Sequence, residues 1–463
     1  MKKILMAICL SALSVAVLPA GVANALTTTW TAGTSNWDNT LNWTNDEPTS
    51  GDIAIINNGG TASIGGLFDF EYADRLFLGY DPGNSGHVSM SSAWLTVSSY
   101  EYIGYEGTGT FSQSGGTHSV GADLLIGHLA ESSGTYNLTG GALNINGNIS
   151  SWAGTGNLNI DGGTLTVTGG SIGVDNFIVG NVNGASGSYT LASGESISAS
   201  NNIQIGRFGT GVFTQTGGTN SADNYLFIGS GSDGTYNMSG GTLTASIENI
   251  GLLGTGEFNQ TGGTHSVTND LTLGENTGGT GTYNLNGGAL NVDGNIVDGD
   301  GTGSLHIDGG ALAVSGGSIG VDNFRVGYAN GSNGSHTLAS GESLSTAYET
   351  IGRYGTGVFT QTGGTNTLTN SLSLGNGSTG NGTYELSSGT LSAGSYEFIG
   401  NGGTGVFTQT GGTNTVTSDL YIGSLSGTGT YDLISGALNV GGNTVNGDGS
   451  GTLNIDGGTL TVT

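Results

Sequence analysis

Beyond about Gly79 the chain repeats one pattern of apolar and polar positions. In GTGVFTQTGGTNTVTSDLYIGS, starting at Gly403, Phe407 and Gln409 alternate with Val406 and Thr408, and Val416 is followed by Leu420 and Ile422. Period-two alternation is a strand signal, and the Gly411-Gly412 pair between the runs supplies a tight corner. Each unit therefore predicts three short strands. Loops after the third strand vary in length ("HLAESSGT", "ENTGGTGT", "SLSGTGT") and belong on the surface.

The residue after each "GTG-x" serves as a ruler: Phe111, Tyr136, Leu158, Tyr189, Phe213, Tyr236, Phe258, Tyr283, Leu305, His336, Phe359, Tyr384, Phe407, Tyr431 and Leu453. Steps are 22 to 25 residues, except two of 31 that carry the extra segment GGSIGVDNF, at Gly169 to Phe177 and Gly316 to Phe324. Phe111 to Phe258, Tyr136 to Tyr283 and Leu158 to Leu305 are each 147 apart, so six units form a copied block. The third copy begins at Phe407 and stops at Thr463 in mid-block, which reads as a fragment.

A short strand with one apolar face is stable only when units stack and share an interior. The expected fold is all-β, a parallel right-handed β-helix (β-solenoid) with about 22–25 residues and three short strands per coil. On this reading the ruler residues lie one above another in one column.

The opening segment stands apart. Lys2 and Lys3, the apolar run Ile4 to Val17 and Ala23-Asn24-Ala25 read as a signal peptide over residues 1–25, the apolar run being shorter than the roughly 20 residues of a membrane span. Residues 26–79 hold Trp30, Trp37 and Trp43 and read as a capping region merging into the first coils. The β-solenoid proper occupies 80–463. The rival use of the tryptophans is a sugar-stacking platform, but burial over an open end is the commoner fate of such residues.

Charge narrows the partners. The chain has 34 acidic residues against six Lys and Arg, and outside the leader only Arg75, Arg207, Arg325 and Arg353 remain. Nucleic acid binding and attachment to anionic lipid both require many cations, so neither is expected. The one cysteine, Cys9, lies in the leader, which leaves the mature chain no disulfide, thiolate metal site or cysteine nucleophile. Stability must come from packing and hydrogen bonds.

Units that begin with Phe carry Gln two residues later (Gln113, Gln215, Gln260, Gln361, Gln409) and His or Asn after "GGT" (His118, Asn220, His265, Asn366, Asn414). His118 and His265 have the chemistry of metal ligands or bases. Their exchange for Asn, which shares donors and acceptors but does not titrate, favours a structural role instead. Gln and His/Asn are therefore expected at the Gly-Gly corner, bonded to its backbone. DGDGTG (Asp298 to Gly303) and NGDGSG (Asn446 to Gly451) offer oxygen ligands for calcium but lack the bidentate Glu of such loops, and read as acidic turns. Arg207 and Arg353, in IGRFGTG and IGRYGTG, read as surface residues copied with their block. No catalytic, cofactor-binding or metal residue is assigned, and no cofactor is expected.

The opening W-x6-W-x5-W followed by P-x3-D-x-A-x-I, with the repeated GTGxFTQTGGTxxV…LxIG and GTYNLxGGxLN, resembles large bacterial exported proteins with autotransporter-associated β-strand repeats. These include passenger-like surface proteins and exosortase-sorted (PEP-CTERM) ones. The resemblance implies an exported, extracellular or cell-surface stalk or adhesin without enzymatic activity, meeting an extracellular carbohydrate or a surface protein. The alternative is a polysaccharide-active β-helix enzyme, a lyase or glycoside hydrolase, for which four arginines and no lysine are a poor endowment.

Overall fold

The computed structural model describes residues 25–66 and 69–463; the expected leader lies outside them but for Ala25. Parallel strands wind into a β-solenoid of about 19 turns, a rod of about 90 Å at roughly 4.8 Å per turn. Among the described residues one short 3-10 turn, Thr40–Asn42, is the only helical element, and no helix there is long and apolar enough to cross a membrane.

A single coil shows how the pattern folds. Strands Thr255–Gln260, Thr264–Val267 and Leu271–Leu273 form three sides, and each pairs in parallel with its counterpart a turn later: Thr280–Leu285, Ala289–Val292 and Ile296–Asp298. Alternate residues point inward, so Phe258, Val267 and Leu271 are buried while Asn259 and Thr272 face outward. The second glycine of each corner pair must be glycine: Gly263 sits at φ +74°, and a Cβ there would lie 2.7 Å from the Gly241 carbonyl oxygen of the turn before. Gly251, closing a third strand at φ +77°, would press a Cβ to 2.1 Å from Thr280 O. Another corner is tied by a recurrent acid: Oδ1 of Asp123, Asp270 and Asp419 accepts the backbone N–H of Asn148, Asn295 and Asn443, each at 2.7 Å.

Ruler residues stack as expected within each run. Phe213, Tyr236, Phe258 and Tyr283 are register partners with ring centroids 4.8, 4.7 and 4.7 Å apart. Phe359, Tyr384, Phe407 and Tyr431 form a second stack at 4.8, 4.9 and 4.5 Å. Each such ring removed from water contributes about 1.5–3 kcal/mol.

At the two 31-residue steps the single-column expectation is corrected. Leu158 is followed one turn later by Phe177, not Tyr189, and Leu305 by Phe324, not His336. The extra segment is not a loop. Ile172–Val179 and Ser318–Val326 each bend across two sides, giving that step four strands instead of three. A 31-residue step is thus one and one third turns, and the motif resumes on the neighbouring side.

One side runs unbroken from Thr34–Asn36 to Thr459–Val462, using first strands, then third strands after the first shift, then second strands after the second. The other two sides are each interrupted once. Thr164–Val167 and Ala311–Val314 have no paired strand above them, leaving Leu165, Val167, Leu312 and Val314 half-buried. The second interruption opens a cleft of about 290 Å³ between Leu312 and His336.

At the N-terminal end Trp30, Trp37 and Trp43 are buried and meet edge to face at 5.0 and 4.8 Å, and Trp43 Nε1 donates to Trp37 O at 2.8 Å. Their rings are core, which removes the sugar-platform reading for these three. The same segment already contributes coil strands, Thr27–Thr29 pairing with Ile53–Ile56 and that with Arg75–Leu78.

Candidate functional site

The polar residues singled out in the repeat come together inside the rod. Gln113, Gln215, Gln260, Gln361 and Gln409 each turn Nε2 to the carbonyl of the corner's second glycine, at 3.3–3.4 Å, and to a carbonyl of the next turn, at 2.9–3.0 Å. For glutamine the expected corner role holds. For histidine and asparagine it is corrected, because these side chains bond not the corner backbone but the tyrosine of the following turn: His118 Nδ1 to Tyr136 OH at 3.0 Å, His265 Nδ1 to Tyr283 OH at 2.9 Å, and Asn220, Asn366 and Asn414 Nδ2 to Tyr236, Tyr384 and Tyr431 OH at 2.9–3.1 Å.

A glutamate completes four of these rungs. Glu101 and Glu248 place Oε2 2.9 Å from His118 and His265 Nε2, and Glu349 and Glu397 accept from Asn366 and Asn414 Nδ2 at 2.7 and 3.0 Å. All four carboxyls are fully buried. Each glutamate lies 17 residues before its His or Asn, a constant offset visible in the sequence; the Asn220 rung has Ile203 at that place.

Hydrogen-bond arithmetic fixes the protons. Because Gln Nε2 is spent on carbonyls, Gln Oε1 accepts the tyrosine O–H, at 2.6 Å for Tyr136 and Tyr384. The tyrosine oxygen must then accept from histidine Nδ1–H. Histidine Nε2 and the carboxyl are left sharing one further proton. In the Asn rungs that proton has no second base to share and sits on the carboxyl itself: burial pushes Glu349 and Glu397 up to about 8, only partly offset by the asparagine donor. These groups have the residue types of a catalytic centre without its access. His118 and His265 side chains are 0% exposed, so the reading of them as metal ligands or solvent-facing bases is set aside.

In the two acidic turns, Asp300 and Asp448 are exposed, and burial together with the neighbouring Asp322 raises half-buried Asp298 above the usual carboxylate range. Asp322 itself accepts the Gly303 N–H at 3.2 Å. Among the described residues no three His, Cys, Asp or Glu side chains gather as a cation site.

On the outside, the copied arginines differ. Arg75 pairs with Asp74 at 3.6 Å, and Arg207 donates to Asn181 Oδ1 at 3.2 Å and lies over the Phe208 ring. Arg353, in the matching place of the next copy, instead joins Arg325 around one aromatic ring. The guanidiniums lie 4.8 and 4.6 Å from the Tyr328 centroid, Arg353 Nη1 donates to Tyr328 OH, and Arg325 Nη1 meets His306 Nε2 at 2.6 Å. Burial and the two arginine charges push His306 down to about 3, so its neutral Nε2 accepts that bond. Neither Arg325 nor Arg353 has a carboxylate within 4.0 Å among the described residues. A cleft of about 260 Å³ adjoins them.

Comparison with protein-family models, curated proteins and solved structures finds no match to this chain.

Proposed function

We propose that this chain is an exported, surface-displayed rod: a non-enzymatic stalk or adhesin of the autotransporter-passenger kind, its outer faces meeting an extracellular carbohydrate or surface protein. The observation that carries the reading is the rung system. Each copied block brings its own closed set of buried Gln, Tyr, His or Asn and in most cases Glu, turned inward and bonded to one another, so the residues copied most faithfully serve cohesion along the axis. Length is the property such copying adjusts. The leader-like opening, the acidic surface and the repeat motifs fit export and display.

A second reading, a polysaccharide-active β-helix enzyme, draws on one observation. The Arg325, Arg353, His306 and Tyr328 cluster is a charged group found in one copy only, as a reaction site would be. Incubation of the soluble protein with plant and microbial polysaccharides decides between them: the rod releases no reducing ends or unsaturated products, and turnover of any would replace it with the enzyme.

A further inference from the structure

We propose that the cleft beside Tyr328 binds the oxyanion, carboxylate or sulfate ester, of an acidic polysaccharide lying along the rod. The copied blocks supply their own control. At positions equivalent to His306, Arg325 and Tyr328 the preceding copy has Asn159, Ile178 and Asn181. The fold there is the same: Asn159 pairs with Ile178 as His306 pairs with Arg325, and Asp161 holds the backbone of Asn181 and Val182 as Asp308 holds that of Tyr328 and Ala329. The changes to His306, Arg325 and Tyr328 are therefore not needed to make the turn. They converge on one surface spot and join an arginine already present.

What they create is a local excess of positive charge in a chain of formal charge −28. Two guanidiniums share one phenol ring, their remaining donors unmatched by any carboxylate. Two acids beside them are engaged elsewhere: Asp308 accepts from the turn backbone and the Ser332 hydroxyl, and Glu349, which lines the cleft, is buried and accepts from Asn366. Burial, partly offset by Tyr328, and the charge of Arg353 press the Arg325 guanidinium below its ordinary range, and a bridging anion favours its charged form. At physiological salt, charges beyond about 8 Å are largely screened, so the acidic remainder of the rod does not cancel this spot.

Shape argues for a polymer of sugars. Arg325, Thr350 and Ser373 are stacked register partners on three successive turns, so the cleft runs with the axis. Tyr348 on its wall is 51% exposed and Tyr354, packed on Arg353, is 42% exposed, offering apolar faces to sugar C–H groups beside the cations.

This inference rests on the display reading for its setting and on the cleft alone for its chemistry. Affinity electrophoresis of the full chain through polygalacturonate, dextran sulfate and uncharged dextran tests it, with R325I/Y328N, which copies Ile178 and Asn181, as the variant and R207A as the control. Retardation by polygalacturonate assigns a carboxylate and by dextran sulfate a sulfate ester, in each case falling with added salt and weakened about tenfold or more in R325I/Y328N but not in R207A. Equal retardation of R325I/Y328N, equal retardation by uncharged dextran, or none by either polyanion overturns the site. Those outcomes leave the rod reading standing, whereas cleavage of either polyanion would overturn the rod instead.

Discussion

The rungs closed by histidine, at Glu101 and Glu248, and those closed by asparagine, at Glu349 and Glu397, share their geometry and differ in where one proton sits. In both, glutamine ties the corner, tyrosine spans to the next turn and a glutamate lies beneath. Histidine brings a second acidic N–H that the carboxyl can share, so the pair is neutral as a unit. Asparagine brings only an amide donor, and the carboxyl must keep its own proton to stay neutral in the core. The same interior slot is therefore indifferent to chemistry as long as no net charge is buried.

Four experiments break or sharpen this comparison. The largest effect is expected from His265→Leu, which strands the Glu248 carboxyl and takes from the Tyr283 oxygen its donor while leaving its own O–H on Gln260. Breaking one partner of a buried pair costs about 3–5 kcal/mol, read as lost hydrogen-exchange protection in Thr264–Val267 and Leu271–Leu273; unchanged protection would make the pair dispensable. Next comes alkali. Glu349 and Glu397 have folded values of about 8 against an ordinary 4.5, so the folded state holds protons that the unfolded state releases. The stability they lend is full below about pH 4.5 and is lost as pH rises through 8, on the order of a few kcal/mol. Exchange rates compared at pH 5 and pH 9, after correction for intrinsic chemistry, should show the loss in the turns from Glu349 to Tyr431; equal loss throughout the rod would contradict it.

Smaller still is His265→Asn, which installs the other rung type in a slot of the same geometry. A cost of about 1–2 kcal/mol is expected, together with the alkaline sensitivity of the asparagine rungs, measured by the same exchange comparison; insensitivity would show that where the proton sits does not separate the two classes. The least effect is expected from the double change E349L/N366L. Apolar replacement of a whole buried polar pair is often neutral or slightly stabilising, and Leu already fills the corresponding inward places at Leu124 and Leu143. A large loss by urea denaturation would mean that the rung specifies register.

The coil was legible in the residues because period-two alternation and paired glycines are local signals: Phe407, Gln409 and Gly412 can be placed from their neighbours alone. The 31-residue steps were misread for a physical reason. Extra residues between two ruler positions add to the length of one unit without showing where they pair, and only the pairing of Phe177 with Leu158 shows that they form a strand of the next turn. Burial of Glu101, Glu248, Glu349 and Glu397 was hidden by their charge, which ordinarily marks an outward position, although the 17-residue offset to His or Asn was there to find. The Arg325 and Arg353 cluster was beyond sequence reasoning, since 28 residues and one turn of the rod separate side chains that share a ring.

The four-strand step changes what duplication does. A copied block of 147 residues occupies six and one third turns, so inserting one lengthens the rod by about 30 Å and also swings everything beyond it through about 120°. Successive copies of any loop then point in three compass directions, like treads of a spiral stair, and a fourth copy would face the same way as the first. A population of such rods differing by single blocks would present the same feature toward different neighbours, making orientation, as well as reach, a quantity that recombination can set.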